Sequence, residues 1–494
     1  YIKTTTFIMT SISNKEYPLI FAGEEKKTND LLIVKNKFNN EDIGNVYLAS
    51  KEDVKYCFDK ANEHCKTLAN TTPGERAEIL QTLHTLINER FDEFADLIMK
   101  EAGKPINQAK GEVKRCLCTL DEAIKEASLG SPDGTWREHA GDGDRNSILI
   151  RRFPVGVASF ITPFNFPLNL VMHKVAPAIV AGCPFVLKPS RKTPLCSLLL
   201  GQLLMQTNLP KGSFSVLTSA EHDSFTLHEH IKVISFTGGA AAGWSIKEKA
   251  IKKNVILELG GNAACIVDNE VDDLDHIADR ICAGAFGYAG QSCISVQRIL
   301  IHESIYESTI SKIIEAAKKY NNNQGDPSDE NTLLGPLISE DEAKRIEKWV
   351  DDAVKSHNGK ILFGGKRHDN IYDATLIADV NTSANVYSRE AFGPIATVHS
   401  FKSFKEAIEM ANDSEFGLQA GVFTNNIGKG FYAYENLIVG GVVLNDIPSF
   451  RVDMQPYGGV KSSGCGREGV RYALEHLTDI RVLVMKNPTQ FKEN

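Results

Sequence analysis

Val233-Ile234-Ser235-Phe236-Thr237-Gly238-Gly239-Ala240-Ala241-Ala242-Gly243 reads as a strand, a two-glycine turn and the opening of a helix. The first four positions are β-type and apolar, the glycines let the chain reverse, and the alanines favour helix. The same rhythm extends outward on both sides. Upstream, Val155 to Thr162 is a strand, Leu168 to Ala181 a helix and Pro184 to Lys188 a buried strand. A helix through Leu195 to Gln206 and a strand at Phe214 to Leu217 follow, and Val255 to Leu257 continues the pattern downstream. Strands alternating with helices predict an α/β fold built on a doubly wound parallel sheet. A second alternating series runs from near Ala264 to about Val443, with strands at Arg298 to Ile301, Lys360 to Phe363 and Ile395 to Phe401.

The N-terminal part differs. Short β-type runs occupy Tyr17 to Ala22, Leu31 to Lys35 and Gly44 to Ala49. From Lys51 to about Ser128 the period is helical, with Leu80, Leu83, Leu86 and Ile87, then Phe91, Phe94, Leu97 and Ile98, three and four apart. A polar stretch, Ser131 to Asp144, precedes a strand at Ile148 to Arg152. Asp479 to Met485 reads as a last strand, too exposed to be central.

A chain of 494 residues exceeds one ordinary core, so two or three domains are expected. With a net charge of −8, it offers nucleic acid no general attraction. No apolar run reaches the roughly 18 residues that span a bilayer. Ten widely spaced cysteines do not make a disulfide framework, and a reducing cytoplasm is the expectation. Cys116-Leu117-Cys118 has no second pair at zinc spacing, so no metal site is expected. Met9 is the first methionine, and Tyr1 to Ile8 are left out of the fold reading.

Three stretches carry chemistry. In Phe286-Gly287-Tyr288-Ala289-Gly290-Gln291-Ser292-Cys293, small residues leave a thiol approachable. Val255-Ile256-Leu257-Glu258-Leu259-Gly260-Gly261 sets one carboxylate among apolar residues, where burial raises its pKa and suits it to take a proton from water. Thr162-Pro163-Phe164-Asn165-Phe166-Pro167 stiffens one amide between prolines as an oxyanion donor. Each alone is more often structural; together they describe nucleophilic attack on an aldehyde. For a cofactor, Thr237 to Gly243 points backbone N–H groups at an anion, and Lys188 ends a strand at the ligand crevice of an open sheet.

With Leu187-Lys188-Pro189, Glu390-Ala391-Phe392-Gly393-Pro394 and Pro456-Tyr457-Gly458-Gly459 added, the set resembles the aldehyde dehydrogenase superfamily, in the family order and from about Tyr17 to Met485. The resemblance implies Cys293 as nucleophile, Glu258 as general base, Asn165 as oxyanion donor, and Lys174 and Glu468 as a proton relay. It implies NAD or NADP as cofactor, with Lys188 on the adenosine ribose, Glu390 on the nicotinamide ribose, Phe392 beside the nicotinamide, and Gly238 and Gly243 under the pyrophosphate. Thr162, Pro163, Phe164, Ser190, Arg191, Gly239 and Leu259 complete that cofactor set. The implied architecture is two doubly wound parallel-sheet domains plus a small oligomerisation hairpin. Its parts are a cofactor-binding domain (9–131 and 155–261), a catalytic domain (262–473) and an oligomerisation segment (132–154 and 474–494), in a homodimer or homotetramer.

Departures from the family pattern sharpen the reading. Gly239 stands where a serine usually contacts phosphate. Arg191, followed by Lys192, stands where NAD-preferring members carry a glutamate, which predicts that NADP is accepted at least as well as NAD. The presence of Glu258 counts against the CoA-acylating branch. Pro448 to Asp453 resembles the lactaldehyde, phosphonoacetaldehyde and non-phosphorylating glyceraldehyde-3-phosphate dehydrogenases, although Ser292 replaces the arginine typical of the last. Arg115 and Arg451 are expected to anchor a short polar or anionic aldehyde, with His173, Tyr288 and Ser292 lining its passage. A catalytically idle scaffold of the same fold and a cofactor-independent thiol esterase stay open at this point.

Overall fold

The computed structural model describes residues 15–129, 135–141 and 144–486. Its larger sheet has eight strands in the order Gly464–Cys465, Asn254–Glu258, Ile231–Thr237, Val157–Ile161, Phe185–Lys188, Phe214–Val216, Leu19–Phe21 and Glu24–Lys26. The five from Asn254–Glu258 to Phe214–Val216 are parallel. All four residues of Phe185–Lys188 are buried, as expected for a parallel strand covered by helices on both faces. Register decides where function gathers. Thr237 pairs with Glu258, Phe236 with Ile161, and Ile161 with Lys188, so these strands end at one common edge.

The second sheet has seven strands: Lys360–Phe363, Thr375–Ala378, Ile395–Phe401, Val296–His302, Ala263–Val267, Gln419–Phe423 and Gly441–Leu444. All but the first, which is antiparallel, run parallel. The doubly wound α/β class expected from the alternation is therefore present twice.

Local chemistry sets the boundaries. Thr72 and Glu75 form a reciprocal cap at the start of helix Pro73–Glu89. Helix Asn169–Ala181 stops at Gly182, whose φ of 80° is the left-handed cap that glycine adopts without strain. The expected run Tyr17 to Ala22 is divided at Pro18, which has no N–H for a ladder. Glu16–Tyr17 joins a small three-stranded sheet and Leu19–Phe21 the large one.

The polar stretch Ser131 to Asp144, where the residues alone predict no strand, contains strand Thr135–Gly141, within the segment 132–154 in which the resemblance implies a hairpin. That strand pairs antiparallel with Asp144–Pro154, which in turn pairs with Thr478–Lys486. Backbone pairing in a hairpin carries this strand, so no apolar alternation announced it. Thr478–Lys486 lies at the sheet edge, with Ile480, Val482, Leu483 and Val484 exposed.

Candidate active site

A cavity of about 690 Å³ opens at the common edge of the large sheet. Of the cofactor set, Thr162, Pro163, Phe164, Lys188, Ser190 and Arg191 line it. So do Gly238, Gly239, Leu259, Glu390 and Phe392, together with Cys293, Glu258 and Asn165. Gly243 is not among the lining residues. A Cβ there would run into the Leu259 side chain, so this glycine permits close packing of its helix.

The wall suits a dinucleotide. Helix Ala240–Ala250 starts after Gly239 without a side-chain cap, leaving its first N–H groups for an anion, and the space above Gly239 is open. Lys188 is buried and, among the described residues, forms no ion pair; burial pulls its pKa down to about 8, with Arg191 adding to the effect. The Thr162 hydroxyl is buried without a partner. Glu390 accepts from the Gly261 N–H at 3.2 Å, and burial raises its carboxyl to about 7. Phe392, at φ 49°, meets Phe164 edge to face at 5.7 Å. A cationic wall, an uncapped helix start, the unpartnered Thr162 hydroxyl and the Glu390 carboxyl, bonded to a single backbone N–H, match phosphates and ribose hydroxyls, so these residues fit NAD(P).

Cys293 follows a tight turn, Gly287–Gly290, in which Tyr288 (φ 49°) and Ala289 (φ 51°) are left-handed. Its sulfur lies 3.2 Å from the Tyr457 hydroxyl. Burial pushes the thiol up to about 12; the Tyr457 hydrogen bond and the Arg451 charge act in the other direction. Glu258 ends its strand 3% exposed, with neither carboxylate oxygen hydrogen-bonded. Burial first, then the charge of Glu468, holds it well above the ordinary carboxylate range. Asn165 donates from Nδ2 to the Gln291 carbonyl at 3.0 Å, while its Oδ1 is buried and unpartnered.

Behind Asn165 stands a buried ion pair, Lys104 with Glu112. Lys104 Nζ donates to the Asn165 backbone carbonyl at 2.8 Å and sits over the rings of Phe166 (3.8 Å) and Tyr288 (4.3 Å). Glu112 Oε1 accepts from the Leu168 and Asn169 N–H groups at 3.0 and 3.2 Å, at the start of helix Asn169–Ala181. That helix carries His173 and Lys174. Lys174 Nζ donates to Glu468 Oε1 (2.7 Å), Ser235 (2.9 Å) and Thr237 (2.8 Å). Burial opposes charge on Glu468, but Lys174 and His173 hold its carboxyl well below the usual range.

The substrate candidates separate into two groups. Arg115 Nη2 donates to Asp453 Oδ1 at 3.2 Å, and His173 Nε2 lies 3.3 Å from the same oxygen. Arg451 Nη2 is 2.9 Å from His173 Nδ1, and its guanidinium stacks on Tyr457 at 3.8 Å. The Nε groups of both arginines are buried and unpartnered. None of Arg115, His173 and Arg451 is among the residues that line the cavity, and neither is Tyr288. Its hydroxyl donates to the Ala102 carbonyl at 3.1 Å and its ring backs Lys104, because the left-handed turn directs it into the core. Ser292 lines a narrow cleft beside Glu390 and Phe392.

Sequence reasoning gave no role to Tyr457, Asp453, Lys104, Glu112 or His222. Tyr457 and Asp453 stood inside quoted motifs, and Lys104-Pro105 repeats the Lys-Pro pair of Lys188-Pro189. Glu112 and His222 carried no signal.

Comparison with known proteins agrees with this geometry. The profile of the aldehyde dehydrogenase family matches residues 24–483. The 3-sulfolactaldehyde dehydrogenase of Priestia megaterium is 40% identical over 482 residues, 97% of this chain and 100% of the relative. Aldehyde dehydrogenase 21 from Physcomitrella patens, in complex with the reaction product succinate, matches with a TM-score of 0.93 at 41% identity, covering 97% of this chain and 100% of that one. A glyceraldehyde-3-phosphate dehydrogenase from Methanocaldococcus jannaschii, complexed with NADP, matches with a TM-score of 0.88 at 38% identity, covering 93% and 100%. The chain belongs to the aldehyde dehydrogenase family and is an NAD(P)-dependent oxidoreductase.

Proposed function

We propose that the chain oxidises a short anionic or hydroxylated aldehyde to its carboxylic acid, with Cys293 as nucleophile, Asn165 as oxyanion donor and Glu258 as hydrolytic base. The observation that carries this is convergence: thiol, amide and unpartnered carboxylate line the same cavity as the cofactor set.

The Cys293 thiol gives up its proton to water, the thiolate sulfur attacks the aldehyde carbon, and the S–C bond forms as the carbonyl pair moves to oxygen. One Asn165 N–H is committed to the Gln291 carbonyl, and its second, with the Cys293 backbone N–H, receives the oxyanion. Lys188, Gly239 and Glu390 would hold NAD(P), which would supply the acceptor for the hydride; loss of that hydride from the carbon leaves a thioester on Cys293. Glu258 then takes a proton from water as the hydroxyl adds to the thioester carbon. The C–S bond breaks with its electrons going to sulfur, and the acid departs. Glu468, held charged by Lys174 and His173, is the next carboxylate in line for that proton.

On substrate, Arg115 and Arg451 retain unspent Nε donors near Asp453 and His173, which suits an anionic tail. The sulfonate of the relative's 3-sulfolactaldehyde and the succinate held by the structural neighbour are such anions. The domain division at 131/155 and 261/262, a homo-oligomer assembled through the exposed edge Thr478–Lys486, and a cytoplasmic location supported by ten free cysteines belong to the same proposal.

The test is reduced-nicotinamide absorbance over a panel of short aldehydes with each cofactor. Cys293→Ala is expected to abolish turnover, and near-parent activity in that variant would refute the mechanism. Arg451→Gln is expected to raise KM for an anionic aldehyde well beyond its effect on a neutral one of equal length; an equal effect would make the arginine structural.

A further inference from the structure

The Pro456–Gly459 loop carries a group that neither the motif reading nor the comparisons assign. Tyr457 is buried, and among the described residues its hydroxyl has one hydrogen-bond partner, the Cys293 sulfur at 3.2 Å. Its backbone is fixed by reciprocal bonds to Glu468, N–H to carbonyl at 3.0 and 2.7 Å. The next residue, Gly458, lies so close to the base that a Cβ there would come 2.8 Å from Glu258 Oε1. One loop thus sets a hydroxyl on the nucleophile, makes room for the base and ties both to Glu468.

We propose that Tyr457 is a catalytic residue: its O–H donates to the Cys293 sulfur whenever that sulfur carries negative charge. This rests on the reading of Cys293 as nucleophile. Charge appears on sulfur twice, before the S–C bond forms and again when the thioester C–S bond breaks and the electron pair returns to sulfur. The other charged groups bearing on the thiol are Glu390 and Glu258, which oppose its ionisation, and Arg451, which favours it. Around the Tyr457 hydroxyl the same Arg451, Glu258 and Cys293 are the neighbours. The Arg451 guanidinium over the ring face, at 3.8 Å, draws electron density from the phenol and strengthens its O–H as a donor. No other hydroxyl or cationic side chain is hydrogen-bonded to Cys293 among the described residues, so the sulfur depends on this donor.

The experiment is alkylation of the cofactor-free full chain by iodoacetamide, followed by mass and by loss of dehydrogenase activity, in the parent and in Tyr457→Phe. Phenylalanine keeps the ring and its stacking and removes only the hydroxyl. A hydrogen bond to a charged sulfur corresponds to about one to two pH units of thiol acidity. A less acidic thiolate is also more nucleophilic, which offsets about half of that. The alkylation rate at pH 8 is therefore expected to fall about three- to tenfold, with kcat falling as well. Incorporation of 3-fluorotyrosine, a stronger donor of nearly the same shape, is expected to act in the opposite direction and serves if the phenylalanine variant does not fold. Parent-like alkylation in Tyr457→Phe, or in the fluorotyrosine protein, overturns the proposal. Full activity after complete alkylation of Cys293 in the parent would instead overturn the reading of Cys293 itself, so the two failures are distinguishable.

Discussion

Cofactor preference should respond to a single charge. Lys188, Arg191, Lys192 and His222 all line the cavity, and among the described residues none of them forms an ion pair. Their mutual repulsion is visible at His222, whose imidazole is pushed below its ordinary value chiefly by the charge of Lys188, then by burial and Arg191. A positive field that the nearby Glu221 and Asp223 offset only in part favours a ligand bearing a 2′-phosphate. Arg191 is exposed, so one pair with phosphate contributes about 0–1 kcal/mol. Arg191→Glu both removes that attraction and adds a repulsion of similar size, up to about 2 kcal/mol in total. At about 1.4 kcal/mol per factor of ten, the ratio of kcat/KM for NADP to that for NAD should fall by up to roughly thirtyfold.

The same wall predicts a pH dependence. Lys188, at about 8 when the site is free, is mostly charged at pH 7 and mostly neutral at pH 9. Phosphate binding favours its charged form, so the advantage of NADP is present below pH 8 and is lost as pH rises through and above that value. Calorimetric Kd values for both cofactors at pH 7 and pH 9, beside kcat/KM in parent and Arg191→Glu, provide the check. Strong NAD preference in the parent, unchanged by the substitution, would place Arg191 outside the cofactor site and refute the reasoning.

Glu258→Gln should preserve the first turnover and lower the steady rate by about 10²–10⁴, seen as a burst followed by a stall. Because Glu258 is held above the ordinary carboxylate range, the parent's steady rate should climb with pH as the group loses its proton, and the glutamine variant should lack that limb; equal loss of burst and steady rate would assign Glu258 to acylation. Lys104→Met leaves Glu112 buried without its partner, a loss of about 3–5 kcal/mol, and frees the Asn165 carbonyl. A lower Tm is expected, with kcat reduced at little-changed KM. Adding Glu112→Leu removes the unpaired charge but strips the Leu168 and Asn169 N–H groups of their acceptor, so it should restore only part of Tm and leave kcat low; parent-like kcat in either protein would remove Lys104 from the support of Asn165. Gly458→Ala should slow hydrolysis of the thioester by displacing Glu258, which single-turnover product release would reveal.

The residues that the sequence made legible sit where the backbone itself demands a residue type. Gly238 and Gly239 turn a strand into a helix, Pro163 and Pro167 stiffen the Asn165 loop, and Pro189 follows a strand end. Each marks the edge at which parallel strands deliver their C-termini, so motif and register agree. Gly243 shows the limit of that logic: a glycine required for helix packing looks the same in sequence as one required by a ligand. Tyr288 shows another. Matching to the family pattern places it at the tunnel, but a left-handed turn directs the ring inward, and no spacing encodes that reversal. Lys104, Glu112 and Asp453 take their roles wholly from distant partners, Lys104 reaching the carbonyl of Asn165 and Asp453 the side chains of Arg115 and His173.

Partnership also sorts the ionisable groups of the site. Burial opposes charge on all of them, yet Glu468 and Asp453 remain well below the carboxylate range because Lys174 and His173 hold one, and His173, Arg115 and Arg451 the other. Glu258 has no such partner and Cys293 only a hydroxyl, and both are driven toward their neutral forms. Glu390, with a single backbone N–H, rises to about 7. A group whose charge is already compensated resists a change of protonation, so Asp453 stays fixed, and Glu468 receives a proton only in passing, at the expense of its pair with Lys174. The uncompensated ones can gain and lose a proton without dismantling the wall around them. That is the property the attack and hydrolysis steps require of Cys293 and Glu258, and it follows from neither having a cationic hydrogen-bond partner among the described residues as much as from the residues themselves.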